Sequence, residues 1–394
     1  MAKVRLRYHR VLSRVAVTVG IIGGGIAGSL AARAFTAVGA EVRWFDRSAS
    51  PAPGALYLWT NACNALGTLG LAAPTIAAGT VQHAMEFRSW EGEPLWTMPV
   101  ARLGATHGAP SVLVDRTRLL EVIRGDSEPT EKVLWRFCQA DDGVELAFED
   151  GDTTRVDLLV GADGRASSVR QLMHGSGCSR SIGQYWAFGY ANCPGVGISP
   201  QSIGCSTITL GHDRRVWISP LGGDRVYWAV AIGKQTHATL ESCEVKTAVQ
   251  RAFAGAPPPI SSILAGIDEH VGWMPIEDRP VRERWTAGRV ALIGDAAHVM
   301  TPDLGQGACM GIEDAVSLAH HVGKGGATDL CAWENARRVR VAVITELSRA
   351  VAKAAAGPGT TLGSRLRDRM VGPLMSMFSD AQMSQILRYR VPAP

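Results

Sequence analysis

The 394-residue chain contains eight cysteines, at 63, 138, 178, 193, 205, 243, 309 and 331, but no C-x-x-C pair. Neither a zinc site nor the disulfide framework of a small secreted protein is expected from that scatter, and no metal ligand set is proposed. A reducing, cytoplasmic setting is the simplest one for it. Charge of either sign is also scarce, with a net +4 over the whole length. No basic stripe with interleaved aromatics occurs, which excludes nucleic acid as a partner. No apolar run reaches eighteen residues, so no membrane span is expected. The basic start (Lys3, Arg5, Arg7, Arg10, Arg14) precedes an apolar run. A cleaved signal peptide is not expected there, because that run serves as a strand of the motif described next.

Glycine is abundant, and its placement is informative. Val15 to Ile22 suits a buried parallel strand. Gly23, Gly25 and Gly28 then fit G-x-G-x-x-G, and a helix follows with Ile26, Ala27, Leu30 and Ala31 on its packing side. In such a motif the first glycine allows a tight turn, the second admits a pyrophosphate and the third lets helix and strand pack closely. The helix dipole would face the phosphates. A second strand, Glu41 to Asp46, ends in a carboxylate where a ribose hydroxyl needs one. Strand, glycines, helix, strand and acid in that order point to a bound dinucleotide. No second motif of this kind appears, since Gly357 to Gly363 has the wrong spacing and follows a helix.

Further along, residues 54–71 read as a loop leading into a short helix. Residues 81–100 read as a hairpin turning at Glu91–Pro94, and Asp115 as the cap of a helix. Three short strands are expected at 133–138, 144–148 and 154–160. The segment Asp157–Gly161 reads as a buried strand that runs into Ala162-Asp163-Gly164 and a helix. Residues 184–275 alternate like an antiparallel sheet, with strands at Arg215–Pro220 and Arg225–Ile232 and one helix near 241–254. A buried strand then ends at Gly294-Asp295, followed by Pro302-Asp303-Leu304-Gly305-Gln306-Gly307 and a helix to about 322. Small residues in its first turns, Gly307, Ala308, Cys309 and Gly311, would admit a planar ligand. A helix over 328–356, basic on one side, and a weaker one near 364–379 complete the expectation. The fold class is α/β, with a Rossmann-like parallel sheet, a second domain on an antiparallel sheet and C-terminal helices.

The opening glycines, Asp163-Gly164, Gly294-Asp295-Ala-Ala-His298, Pro302-x-x-Gly-Gln-Gly307 and Glu313-Asp314-Ala315 form a long ordered pattern. With Glu277-Asp278-Arg279-Pro280 and Trp333-Glu334-x-x-Arg337-Arg338, it resembles the class A FAD-dependent aromatic hydroxylases, which share the p-hydroxybenzoate hydroxylase fold. The resemblance spans about residues 15–350. Within the family it is most similar to urate hydroxylases and zeaxanthin-epoxidase-like enzymes. It implies a single-component monooxygenase that takes FAD as cofactor and NADPH or NADH as co-substrate. One oxygen atom from O2 would pass through a flavin C4a-hydroperoxide to a small aromatic or polycyclic ring or an alkene. It also implies a discontinuous FAD-binding domain (1–78, 108–178 and 276–350), a substrate domain (79–107 and 179–275) and a C-terminal tail (351–394).

The resemblance assigns cofactor binding to Gly23, Gly25, Ile26, Ala27, Gly28, Asp46, Arg47, Arg116, Asp163, Asp295, Gly305, Gly307 and Ala308. Asp46 and Arg47 would serve the adenosine ribose, Asp295 the ribityl and phosphate region, and Asp163 both FAD and the nicotinamide. By analogy with the urate enzymes, Arg215, Tyr227 and Asp303 would face substrate. The same residues also suit a surface arginine, a sheet-packed tyrosine and a turn-capping aspartate. His298 reads as structural and His212 as solvated. Trp186, Trp217 and Trp228 could line the substrate space, with core packing expected for at least two of them. Cys309 and Thr60 depart from the family's usual asparagine and proline. Alternatives are a flavin epoxidase, reductase or halogenase, a non-catalytic FAD-binding protein, or a nicotinamide dehydrogenase. No lysine lies between Lys3 and Lys132 and no W-x-W-x-I-P occurs, which disfavours a halogenase. Oligomeric state is left open.

Overall fold

The computed structural model describes residues 17–48, 54–175, 177, 179–194, 200–233, 244–281, 284–326, 329–356, 363, 367–370 and 381–394. β1 (Thr18–Ile22) leads into α1 (Ile26–Ala37) and β2 (Glu41–Asp46). β3 (Ala55–Leu58) precedes α2 (Thr60–Gly67), and β4 (Ala84–Ser89) and β5 (Pro94–Met98) form a hairpin. β6 (Ser111–Asp115) runs into α3 (Arg116–Arg124), and β7 (Leu158–Gly161) precedes α4 (Ser168–His174). Four longer strands follow: β8 (Arg180–Asn192), β9 (Cys205–Leu210), β10 (Arg214–Gly222) and β11 (Arg225–Gly233). After α5 (Val245–Phe253) and α6 (Ile260–Ala265) come β12 (Gly272–Asp278), β13 (Val290–Leu292), α7 (Gly307–His321) and α8 (Cys331–Ala356).

The first sheet has the order 286–287, β13, β7, β1, β2, 130–131, and is parallel except for its 286–287 edge. Ile21 sits opposite Val160 on one side and Trp44 on the other. Strands covered on both faces read as unbroken apolar runs, and all of β7 is buried. α7 is buried nearly all round because it packs on both α1 and α2. No helix among the described residues is long and apolar enough to cross a membrane.

The second sheet has the order β12-β8-β11-β10-β9-β4-β5. Period-two alternation gives it two different faces. Val216, Ile218, Trp228 and Val230 pack with Val249, Phe253, Ile260 and Ile263 of α5 and α6. Arg215, Trp217, Tyr227 and Trp186 project the other way. On that side alanines oppose bulky residues: Ala229 lies between Trp217 and Phe188, and Ala231 between Arg215 and Trp186. Small residues next to large ones leave room for a cavity.

Several local expectations are revised. Residues 55–58 are strand, because β3 pairs with β6. The strand expected over 154–160 is two strands. The chain changes sheets at Asp157, whose backbone N–H donates to Thr18 O (2.8 Å) and whose carboxylate accepts from Thr18 N (2.7 Å). The single helix expected near 241–254 has a second short helix, α6, beside it. The basic side of α8 turns partly inward, where Arg337 is buried against two acids. The basic leader, the 357–359 break and most of the helix expected at 364–379 lie outside the described residues. Residues 381–387 are helical and bury Met383, Ile386 and Leu387.

Candidate active site

The glycine turn divides its work between packing and ligand. Gly23 has φ 118°, and a Cβ on Gly28 would collide with the Gly23 carbonyl oxygen. A Cβ on Gly25 would meet nothing within 4 Å. That open side is where a pyrophosphate could approach the backbone. The turn is held from behind, because Trp44 Nε1 donates to Gly23 O (3.0 Å) and Arg124 Nη2 to Gly24 O (2.7 Å). Asp46 ends β2 beside Gly24 and accepts from Arg47 N at 2.9 Å. Burial raises its pKa, against hydrogen bonds from the Arg47 and Gly24 backbones. The Arg47 side chain is exposed.

A cavity of about 300 Å³ opens in front of this turn. Gly25, Ile26, Ala27, Arg116, Asp295, Gly305, Gly307 and Ala308 all line it, so eight expected cofactor residues share one space. Tyr227 lines it as well. Arg116 Nε is buried without a hydrogen-bond partner among the described residues. An unmet guanidinium donor, an open glycine and the N-terminus of α7, which has no side-chain cap, suit a phosphate-bearing ligand that carries negative charge. Gly23 and Gly28 shape the turn without lining the cavity. Asp46 and Arg47 lie at the end of β2, outside the lining. The Asp163 carboxylate faces its own loop, where it accepts from Ser167 Oγ (2.5 Å), Ser168 N (2.7 Å) and Val169 N (3.2 Å). Burial still raises its pKa despite those bonds.

A second cavity of about 120 Å³ adjoins the first, and Tyr57, Trp186, Trp217, Pro302 and Gly305 form walls of both. Arg215 and Asp303 line this second space, with Arg215 Nη2 2.7 Å from Asp303 Oδ1 and side chains only 5% and 4% exposed. The three expected substrate residues therefore divide between two chambers. Burial raises the Asp303 pKa, while the Arg215 guanidinium beside it pulls it down. Arg215 also sits 5.7 Å from the centre of the Trp186 ring. Burial pushes the Tyr227 hydroxyl well above its ordinary range, although Arg116 opposes this, so it stays protonated. Of the three tryptophans only Trp228 is purely core, with its Nε1 donating to Tyr190 O at 3.1 Å. Trp186 and Trp217 line both cavities while also packing against the hydrophobic core.

Sequence reasoning missed Tyr57, Trp59, Met85, Phe87, Met98 and Met383 as wall residues. The hairpin alternation did place Met85 and Phe87 on one face, but it carries no sign of what that face meets. Cys309 lines neither cavity, with its Sγ 3.5 Å from Trp59 N and 3.8 Å from Tyr57 O. Thr60 Oγ1 donates to Ala109 O at 2.9 Å.

Behind the cavities lies a buried ionic network. His298 Nε2 lies 2.5 Å from Asp314 Oδ2, which also accepts from Gly294 N at 3.0 Å. Arg337 donates to Asp314 Oδ1 (2.8 Å) and Glu313 Oε2 (2.6 Å), and Arg340 holds both Glu313 oxygens at 2.8 Å. Burial opposes charge on Asp314, but His298 and Arg337 outweigh it and hold its pKa at about 2. His298 thus fixes the Gly294-Asp295 turn to α7, a structural role. His212 is exposed in a bend.

Residues 16–347 match the FAD binding domain family. The chain is 30% identical over 334 residues to the FAD-dependent urate hydroxylase of Klebsiella pneumoniae, covering 82% of this chain and 86% of that one. It is also 30% identical over 315 residues to the aurachin C monooxygenase/isomerase of Stigmatella aurantiaca, covering 78% and 80% respectively. The crystal structure of Klebsiella pneumoniae HpxO complexed with FAD and uric acid superposes with a TM-score of 0.81 at 25% identity, over 93% of this chain and 97% of that one. A salicylate hydroxylase substrate complex shares the fold, with a TM-score of 0.75 at 21% identity over 97% and 100% of the two chains. The family match over most of the chain and the two sequence relatives place it: this chain is an FAD-dependent monooxygenase of the class A flavoprotein hydroxylase family.

Proposed function

We propose that the chain oxygenates a small aromatic or polycyclic molecule held in the second cavity, using electrons from NADPH or NADH. One observation carries this reading: the cofactor-side cavity and an apolar chamber share five wall residues, so a ring in one adjoins a ligand in the other. The named relatives act on, or are solved with, compounds such as urate, which supports an aromatic substrate.

When bound, FAD supplies acceptance of hydride from the nicotinamide and activation of O2. The chain's residues then have distinct tasks. The Gly25 backbone and Arg116 would hold phosphates, Asp46 a ribose, and Asp295 the ribityl region. The α7 terminus, with Gly307 and Ala308, lines the cofactor-side cavity and would stabilise negative charge developing there. Trp186 and Trp217 exclude water from the shared wall. Asp303 accepts a hydrogen bond from substrate, and Arg215 beside it opposes the effect of burial on its carboxyl. Tyr227 remains a protonated donor on the cofactor side. A cytoplasmic location suits the six described cysteines, all of which are free thiols.

The test is turnover under ¹⁸O₂ with a panel of ring compounds. The expected result is a product heavier by one labelled oxygen, with NAD(P)H consumed in proportion. Nicotinamide oxidation that yields only hydrogen peroxide with every ring would overturn the proposal.

A further inference from the structure

We infer that the substrate is an uncharged ring bearing an apolar arm, with its polar edge at Asp303 and Trp217 and its arm among Met85, Met98 and Met383. This rests on reading the second cavity as the oxygenation chamber.

Charge supplies the first argument. Arg215 and Asp303 are the only base and acid on the described wall, and they lie 2.7 Å apart. They neutralise each other. A carboxylate on the ligand would have to displace Asp303, with no second cation on the described wall to receive it. An ammonium would meet the guanidinium. A neutral ring leaves the pair intact.

Hydrogen bonding supplies the second. Asp303 Oδ2, Trp217 Nε1 and Tyr57 Oη are buried and have no partner among the described residues. The first only accepts, the second only donates, and the third does either. Unmet buried groups of this kind favour a ligand with complementary atoms. A ring edge carrying an N–H or O–H beside a carbonyl supplies them.

The remaining wall supplies the third. Phe87, Ile208, Leu210, Val351 and Ala355 join the three methionines; none of these side chains donates a hydrogen bond, and only the methionine sulfurs accept one, weakly. A small ring that is polar on every edge would leave its groups dry against this surface. Methionine side chains re-pack readily around apolar substituents of different shape.

The experiment uses the full chain loaded with FAD. Ligand affinity is read from perturbation of the flavin absorbance, and NADPH oxidation is followed in parallel. The probes are a bicyclic lactam (2-quinolone), its methyl and propyl derivatives at each ring carbon, its carboxylated derivatives, and urate. At least one propyl isomer is expected to bind ten-fold or more tightly than the parent, given about fourfold per buried methylene. Every carboxylated ring is expected to bind at least ten-fold more weakly than the parent. In Asp303→Asn, where Arg215 is left unpaired, a carboxylated ring should gain at least ten-fold over its wild-type affinity. The wild-type panel decides the matter even if that variant does not fold. Tighter binding of urate or of carboxylated rings than of every alkylated ring overturns the inference and leaves the chamber assignment standing. If FAD binds but no ring perturbs it or speeds NADPH oxidation, the chamber assignment fails and the inference fails with it.

Discussion

The two adjoining cavities are built from different materials. The cofactor side is mostly backbone and near-backbone: an open glycine, helix starts and small residues at fixed offsets along two loops. The substrate side is mostly side chain, gathered from β3, the β4–β5 hairpin, β8, β9, β10, α8 and the C-terminal helical turn. A site made of backbone depends on local sequence order, so a substitution there acts through geometry. A site made of distant side chains depends on how the sheets and helices are held together, so it is sensitive to the struts between them.

The largest expected effect lies within the backbone-built site, where two glycines of one motif should behave differently. Gly28→Ala drives a Cβ into the Gly23 carbonyl. It should cost more than about 4 kcal/mol or prevent folding. Gly25→Ala has open space around its new Cβ. It should change the stability of the FAD-free protein by no more than about 1 kcal/mol, while weakening FAD at least ten-fold. Thermal melting with and without FAD separates the two outcomes. Equal loss of stability in both variants would remove the distinction between a packing glycine and a ligand glycine.

Next comes the ionic network that both cavities lean on. Arg337→Met leaves Asp314 and Glu313 buried without their shared guanidinium and should cost about 3–5 kcal/mol. Its pH signature follows from Asp314, whose folded pKa of about 2 lies below the ordinary 3.8. A depressed carboxylate stabilises the fold above its unfolded value, and that stability is lost as pH falls through the folded one. The wild type should therefore lose part of its stability between about pH 4 and pH 2, and Asp314→Asn should be flatter across that window. Denaturant melts at stepped pH measure it. Parallel curves for the two proteins would mean that the pair holds no such proton linkage.

The same contrast explains what was legible in the sequence. Gly25 and Gly307 are readable because turn and helix start have short-range signatures, Arg116 and Asp295 take their roles from the resemblance, and one cavity collects all four. Arg215 and Asp303 entered only through resemblance, since nothing local pairs residues 88 positions apart. Met85 and Phe87 alternate onto one face of a hairpin, but the parallel pairing of β4 with β9, which brings that face to the chamber, is long-range. Tyr57 was read as loop because β3 is four residues long and takes its strand character from β6. Asp163 is informative in the opposite direction. Its motif was plain, yet its carboxylate caps the start of α4, and Gly164 and Arg165 beside it line the cavity instead.

The smallest of these effects tests whether the two sites are mechanically joined. Asp115 ends β6 and caps α3, with Oδ1 accepting from Thr117 N (2.9 Å) and Arg118 N (3.2 Å). Its other oxygen accepts from Tyr190 Oη at 2.5 Å, and Tyr190 stands on β8 of the antiparallel sheet. Burial and the adjacent Asp115 push the Tyr190 hydroxyl well above its ordinary range, so it remains a donor. The residue after Asp115 is Arg116, on the cofactor wall. Tyr190→Phe removes one hydrogen bond to a charged acceptor and should cost about 2 kcal/mol. If that bond also fixes Arg116, FAD affinity should fall several-fold as well, and Asp115→Asn, which weakens the helix cap too, should lower it further. A loss of stability with FAD affinity unchanged would mean that Tyr190 ties the sheets together without positioning Arg116. The backbone-built cavity would then be independent of the side-chain-built one.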